Sequence, residues 1–173
     1  MTTLAILIAF FTFSQPAQAS EIAASSAVLK NSLPEADTRV EKLTEFLKSY
    51  GSPLAPYAQQ FVESADKYSL DWKLVPAITG VESTFGKQIP AGSYNAYGWA
   101  NGVYYFQSWE QSIELVSKTL KEKYVDRGLD TPAKMGPVYA PPSKTWAGKV
   151  VYFMNLIECF GEKGCFEELN LTL

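Results

Sequence analysis

Asp71-Trp72-Lys73-Leu74-Val75-Pro76-Ala77-Ile78-Thr79-Gly80-Val81-Glu82-Ser83-Thr84-Phe85-Gly86 is the stretch on which the reading of this chain turns. At about 100° per residue, Leu74, Ile78, Val81 and Phe85 fall in one apolar stripe, which predicts a helix from near Asp71 to Phe85. Gly86 supplies the stop, because glycine enters the left-handed conformation freely. Pro76 fits a first turn and kinks an interior, so either the regular helix starts later than Asp71 or its opening is bent. Glu82 lies about 80° round from Leu74, at the edge of the stripe, one turn after Ile78 and one turn before Phe85. That position predicts a half-buried carboxyl. It is also in the last turn, near the negative end of the helix dipole, so burial and dipole both favour the protonated acid. Glycoside cleavage requires such an acid, since the leaving oxygen must receive a proton as the bond breaks. An ordinary solvated glutamate on a helix flank would have the same spacing.

Outward from this segment, the chain reads as helices separated by turn chemistry. Val40, Leu43, Phe46, Leu47 and Tyr50 predict a helix over 37–50, closed by Gly51. Ser52-Pro53 predicts a cap and a first-position proline for a second helix carrying Leu54, Tyr57, Ala58, Phe61, Val62 and Ala65, with Pro56 in its opening. Ser108 and Gln111 have capping-box spacing, and Ile113, Leu115, Val116, Leu120 and Tyr124 continue an amphipathic helix toward Gly128. Thr131-Pro132 starts a short helix, Ala140-Pro141-Pro142 breaks it, and Ser143 caps a last helix through about Cys159. The expected class is mainly α, with six helices. Between them, 87–107 holds Pro90, Gly92, Gly98 and Gly102 among Tyr94, Tyr97, Trp99, Tyr104, Tyr105 and Phe106, and reads as a loop or a short β-hairpin.

Composition removes whole classes of chemistry. There is no histidine, which excludes Ser-His-Asp and Cys-His nucleophiles, imidazole acid–base catalysis and the usual zinc sites, so neither metal nor cofactor is expected. A net charge of −3, with no two Lys or Arg adjacent, argues against nucleic acid as a partner. Gly80 to Lys87 is not a phosphate-binding loop: five residues rather than four separate Gly80 from Gly86, and Gln88 stands where Ser or Thr is required. Cys159 and Cys165 enclose a short glycine-containing loop that would close as a disulfide in an oxidising compartment, or remain as two thiols.

The first residues suggest export. Leu4 to Phe13 is apolar but for Thr12, and Ala17-Gln18-Ala19 is a small-x-small cleavage site, so 1–19 reads as a signal peptide. The segment is short for a membrane span and has no Lys or Arg before its apolar run; an uncleaved anchor is the alternative. Residues 20–35, rich in Ser and Ala at their start, read as a spacer, and 36–173 as one domain acting in the periplasm, cell wall or outside the cell. Asn170-Leu171-Thr172 matches a glycosylation sequon, which is taken as chance.

The Glu82-Ser83-Thr84-Phe85-Gly86 string, behind its apolar helix opening, resembles the catalytic helix of lysozyme-like peptidoglycan hydrolases. Tyr94-Asn95-Ala96-Tyr97-Gly98-Trp99, then Phe106-x-Ser108 opening a helix, and Tyr139-Ala140 ahead of Trp146-Ala147 are more similar to the glucosaminidase-domain family of endo-β-N-acetylglucosaminidases than to lytic transglycosylases. The resemblance runs from about Leu70 to Ile157. It implies a lysozyme-like helical domain, peptidoglycan glycan strands as substrate, Glu82 as general acid and Tyr139 as an active-site tyrosine that steadies positive charge or positions the sugar. Asn95, Tyr97 and Trp99 would line the sugar groove, aromatic faces on the rings and the amide on N-acetyl groups. Phe106, Trp109 and Trp146, which border helices, are expected in the core. A monomer without a cofactor is expected. Cell wall is anionic, so the chain's net negative charge gives it no electrostatic help and affinity must come from the groove.

Most glycosidases use two carboxylates. Asp71, Glu110, Glu114, Asp126 and Asp130 are available, yet a helix cap or a solvated face accounts for each. The resembled families often work with one glutamate, using the substrate's own N-acetyl oxygen or its 6-hydroxyl as internal nucleophile. The first route ends in hydrolysis, the second in a 1,6-anhydro sugar, and both stay open, as does a wall-binding module without turnover.

Overall fold

The apolar stripe of the quoted segment forms a helix shorter than its pattern, and the rest of the fold is arranged about it. In the computed structural model, which describes residues 37–165, the helices are α1 (Thr38–Ser49), α2 (Ala58–Tyr68), α3 (Leu74–Ser83), α4 (Trp109–Lys123), α5 (Pro132–Tyr139) and α6 (Trp146–Glu158). The chain is mainly α, and there is no strand among the described residues, so 87–107 is a loop and not a hairpin. A backbone bond from Phe106 N–H to the Ser93 carbonyl (2.9 Å) draws its two ends together without continuing into a ladder. The expected leader, spacer and sequon lie outside the described residues, which fall within one compact unit.

Local chemistry sets the boundaries. Asp37 caps α1 by accepting from Arg39 N–H at 2.9 Å, and the Arg39 guanidinium also grips Asp66, tying α1 to α2. Ser52 accepts from Leu54 N–H as expected, but a 3₁₀ turn over Ala55–Tyr57 contains Pro56, and the regular helix begins only at Ala58. Asp71 accepts from Lys73 N–H, and α3 then starts at Leu74, which leaves Pro76 in the first turn, where its missing N–H costs nothing. The kink is therefore avoided by the later start. Ser108 caps α4 by accepting from Gln111 N–H; the Gln111 side chain reaches back to Gln107 N–H rather than to the cap residue itself. Ser143 accepts from Trp146 N–H, so it serves the last helix from three residues ahead of its first turn. Cys159 and Cys165 form a disulfide, with Cα atoms 5.3 Å apart, that closes the loop after α6.

The end of α3 departs most from expectation. Thr84, Phe85 and Gly86 are all left-handed (φ 53°, 57° and 78°), so the helix stops at Thr84 and not at the glycine. Left-handed backbone costs a residue with a side chain about 1–2 kcal/mol. Burial of Phe85 offsets this: its ring is fully buried, edge-on to Phe46 and Phe153 and tilted against Tyr50. The ring lies directly over Gly80, where an added Cβ would stand 2.7 Å from Cε1 and Cζ. Ser52 Oγ donates to the Phe85 carbonyl (2.8 Å), which holds the turn against the start of the second helical region.

Packing follows from these faces. α3 lies against α6, α2 against α4, and α5 against α6. Leu43, Phe46, Phe61, Ile78, Ile113 and Ile157 are among the side chains sealed between them. Gly80→Ala tests the Phe85 seat. Helix propensity alone would stabilise the variant by about 1 kcal/mol. Overpacking against the Phe85 ring should instead destabilise it by about 1–3 kcal/mol in urea unfolding. A net gain in stability would show that the ring is not held there.

Candidate active site around Glu82

Helix α3 delivers Glu82 as its periodicity requires: Leu74, Ile78 and Phe85 are buried, Val81 is partly covered, and Glu82 is half-buried beside them. Burial pushes its carboxyl above the ordinary value for glutamate, and the indole N–H of Trp146, donating to Oε1 at 2.7 Å, works in the opposite direction. No Lys or Arg bonds to Glu82 among the described residues, so the desolvation is not relieved by a counter-charge.

The loop 93–106 is brought to Glu82 by the residue that follows it. Ser83 Oγ lies 3.1 Å from the Thr79 carbonyl and 2.9 Å from the Ala96 carbonyl, and accepts from Gly86 N–H at 2.9 Å. This hydroxyl closes α3 and fastens the loop to it. Gly98 then passes so close that a Cβ on it would lie 2.9 Å from Glu82 Oε2, in a left-handed conformation with φ 68°. Glycine is required there on both counts.

Of the expected groove residues, Asn95 is structural instead, and Tyr97 is a nearly buried residue that also borders the pocket. Asn95 is 3% exposed, donates from Nδ2 to the carbonyls of Trp99 and Tyr104 (both 3.0 Å), and accepts Trp99 N–H on Oδ1 (2.9 Å). Its amide is used up in folding the loop, so it is not available to a substrate's N-acetyl group. Tyr97 is 1% exposed, with its ring edge-on to Phe106 and its hydroxyl 3.5 Å from Ser112 Oγ, so its side chain belongs to the core. What Tyr97 contributes is its carbonyl, which accepts from the Tyr139 hydroxyl at 2.7 Å. Trp99 keeps a partly exposed ring, held 5.9 Å from Phe106.

A pocket of about 290 Å³ opens beside this loop, near the lower end of the size range of small-ligand sites. Tyr97, Gly98, Trp99, Thr119, Tyr124 and Tyr139 contribute to its wall. Glu82 is not in that wall; it meets the pocket at Gly98, which touches both. Tyr139 is therefore placed on the pocket as expected, and Trp99 with it. Burial and the neighbouring Glu82 charge raise the Tyr139 phenol well above its ordinary range, so it stays neutral. The Tyr139 ring stacks on Trp146 with centroids 4.7 Å apart and planes 25° from parallel.

Thr119, Tyr124 and the polar role of Trp146 are additions that helical spacing does not signal. Trp146 is buried, as a core residue should be, but the indole N–H of a buried tryptophan needs a partner, and a half-buried acid without a cation is the unclaimed one. Tyr124 continues the α4 stripe in sequence and packs against the core, with its ring 6.1 Å from that of Tyr139.

Most of the carboxylates considered as partners for Glu82 have other work. Asp71 lies 3.6 Å from Lys73 Nζ, Asp126 pairs with Lys121, and Asp130 pairs with Lys134. Glu114 is held by Lys67, Tyr68 and Ser64, while Glu110 is exposed in the first turn of α4. None of them lines the pocket. No family model and no curated protein matches the chain.

Glu82→Gln tests the electrostatics of the site independently of any activity. A carboxyl whose pKa is raised on folding contributes its stability below the unfolded pKa and loses it as pH rises through the folded value. The Gln variant should therefore melt a few degrees above wild type at pH 7, with the difference shrinking toward about pH 4. A variant less stable than wild type at pH 7 would mean that the carboxylate is well solvated or paired.

Proposed function

We propose that this chain is an exported peptidoglycan hydrolase that cleaves β-1,4 glycosidic bonds of the MurNAc-GlcNAc strand, in the manner of an endo-β-N-acetylglucosaminidase. The observation that carries the reading is the Glu82 carboxyl: half-buried, raised in pKa, without a cationic partner among the described residues, and separated from an aromatic pocket only by Gly98. The similarity of Glu82-Ser83-Thr84-Phe85-Gly86 and the aromatic loop to lysozyme-like glucosaminidases supports it, and so does the disulfide, which suits an oxidising compartment.

In this reading Glu82 gives its proton to the glycosidic oxygen as the C1–O bond breaks, and the sugar gains positive charge at C1. Tyr139, neutral and fixed by its bond to the Tyr97 carbonyl, forms part of the pocket wall. Trp99 and Tyr124 offer aromatic surface for sugar faces. With the other candidate acids engaged elsewhere or exposed, the substrate's N-acetyl oxygen attacks C1 from within, and water then opens that intermediate. A 6-hydroxyl attack would instead leave a 1,6-anhydro end, as in a lytic transglycosylase.

Digestion of purified cell wall tests the proposal. Wild type should release soluble muropeptides with reducing ends, and Glu82→Gln should lower the rate by about 10²–10⁴-fold. Activity should fall as pH rises above the raised Glu82 pKa, because the acid loses its proton. Undiminished release by Glu82→Gln would refute the assignment, anhydro products would make the enzyme a transglycosylase, and wall binding without release by either protein would make it a binding module.

A further inference from the structure

The Trp146 indole bears on Glu82 in a way that the general-acid role alone does not require. A carboxylic acid has two oxygens, and the one that carries the proton must face the atom to be protonated. Indole N–H is a donor only. With Nε1 at 2.7 Å from Oε1, that oxygen is committed as an acceptor in both the charged and the neutral forms of Glu82. A proton on Oε1 would leave the indole a hydroxyl oxygen, a weaker acceptor than the carbonyl oxygen it has when the proton is on Oε2.

The other oxygen has different surroundings. Oε2 has no hydrogen-bond partner among the described residues, and the one buried side-chain polar atom without a partner among them is Ser117 Oγ, so Oε2 reaches solvent. It lies against Gly98, where a Cβ would stand 2.9 Å from it, and Gly98 is itself part of the pocket wall. We propose that Trp146 is a positioning residue that confines the Glu82 proton to Oε2, the oxygen beside the pocket-wall residue Gly98. The catalytic meaning of this arrangement rests on the glycosidase reading above.

Trp146 is itself held in place for the task. Its ring stacks on Tyr139, and Tyr139 is tied through its hydroxyl to the Tyr97 carbonyl, one residue before Gly98. The indole plane on α6 and the loop that faces Oε2 are thus set by one tyrosine on α5. Burial keeps neutral the titratable groups packed around this unit, Tyr139 with Tyr97 and Tyr124 behind it. Only Glu82 changes charge among them in the neutral and acidic range.

The indole N–H signal of Trp146 in the wild-type protein provides the direct test. Its proton and nitrogen shifts should follow a single titration whose midpoint is that of the Glu82 carboxyl, and should be flat in Glu82→Gln. In Trp146→Phe, which keeps the stacked ring and removes the donor, the Glu82 midpoint should move up by about one pH unit. Wall cleavage by that variant should lose about tenfold in kcat with KM unchanged, and its alkaline limb should shift upward with the midpoint. An indole signal insensitive to the Glu82 titration, or a Glu82 midpoint unmoved in Trp146→Phe, would overturn the inference. Should Trp146→Phe fail to fold, the wild-type indole titration decides alone. Full activity in Glu82→Gln would sink the glycosidase reading, while the indole titration would still report whether the indole is coupled to the Glu82 carboxyl, so the two failures are told apart.

Discussion

Phe85, folded back over Gly80, is the contact on which the site depends. It ends α3 earlier than an uninterrupted apolar stripe would, and it drives three successive residues into the left-handed region. The ring is sealed by Phe46, Tyr50 and Phe153, so α1 and α6 are both referenced to the same point. From that fixed end, Ser83 captures the Ala96 carbonyl and the loop 93–106 is brought over Glu82. The Glu82-Ser83-Thr84-Phe85-Gly86 string is therefore mostly scaffold: Ser83, Phe85 and Gly86 are buried, and Glu82 is the member whose carboxyl is left facing outward.

The electrostatics are consistent with that division. An arginine or lysine beside Glu82 would stabilise its charged form and make it a poor proton donor near neutrality. The structure orients the acid with a neutral N–H donor instead, which fixes geometry at a smaller cost in proton affinity. Lysines are committed to other carboxylates: Lys67 to Glu114, Lys121 to Asp126, Lys134 to Asp130, Lys73 to Glu158. These exposed pairs contribute little to stability. They do account for most of the acids that would otherwise compete for a catalytic role.

The legible part of this molecule is the part governed by short-range rules. Helix positions follow from spacing, and Asp37, Ser108 and Thr131 act as caps because an N-terminal oxygen needs only its neighbours two or three residues on. The half-buried position of Glu82 is legible for the same reason, since a helix assigns each residue a direction. The loop assigns none. Asn95 and Tyr97 have the look of groove residues because they are polar and aromatic in a glycine-containing stretch, yet Asn95 is consumed by the loop's own carbonyls, and Tyr97, though it borders the pocket, is nearly all buried. Gly86 has the look of the helix stop because glycine tolerates positive φ; Thr84 takes that place because burying Phe85 outweighs the strain. Helical spacing puts Trp146 in the core, and the partner of its single polar atom is visible only once α3 and α6 are side by side.

Burial on folding makes Glu82 a weaker acid than a free glutamate, which the proposed glycosidase role requires. Titration of the Glu82 side-chain carboxyl by carbon NMR measures this directly. The midpoint should lie above the ordinary value for glutamate and, under the proposed function, coincide with the pH at which cell-wall cleavage declines. A midpoint at or below the ordinary value, or a cleavage profile that ignores it, would contradict the account.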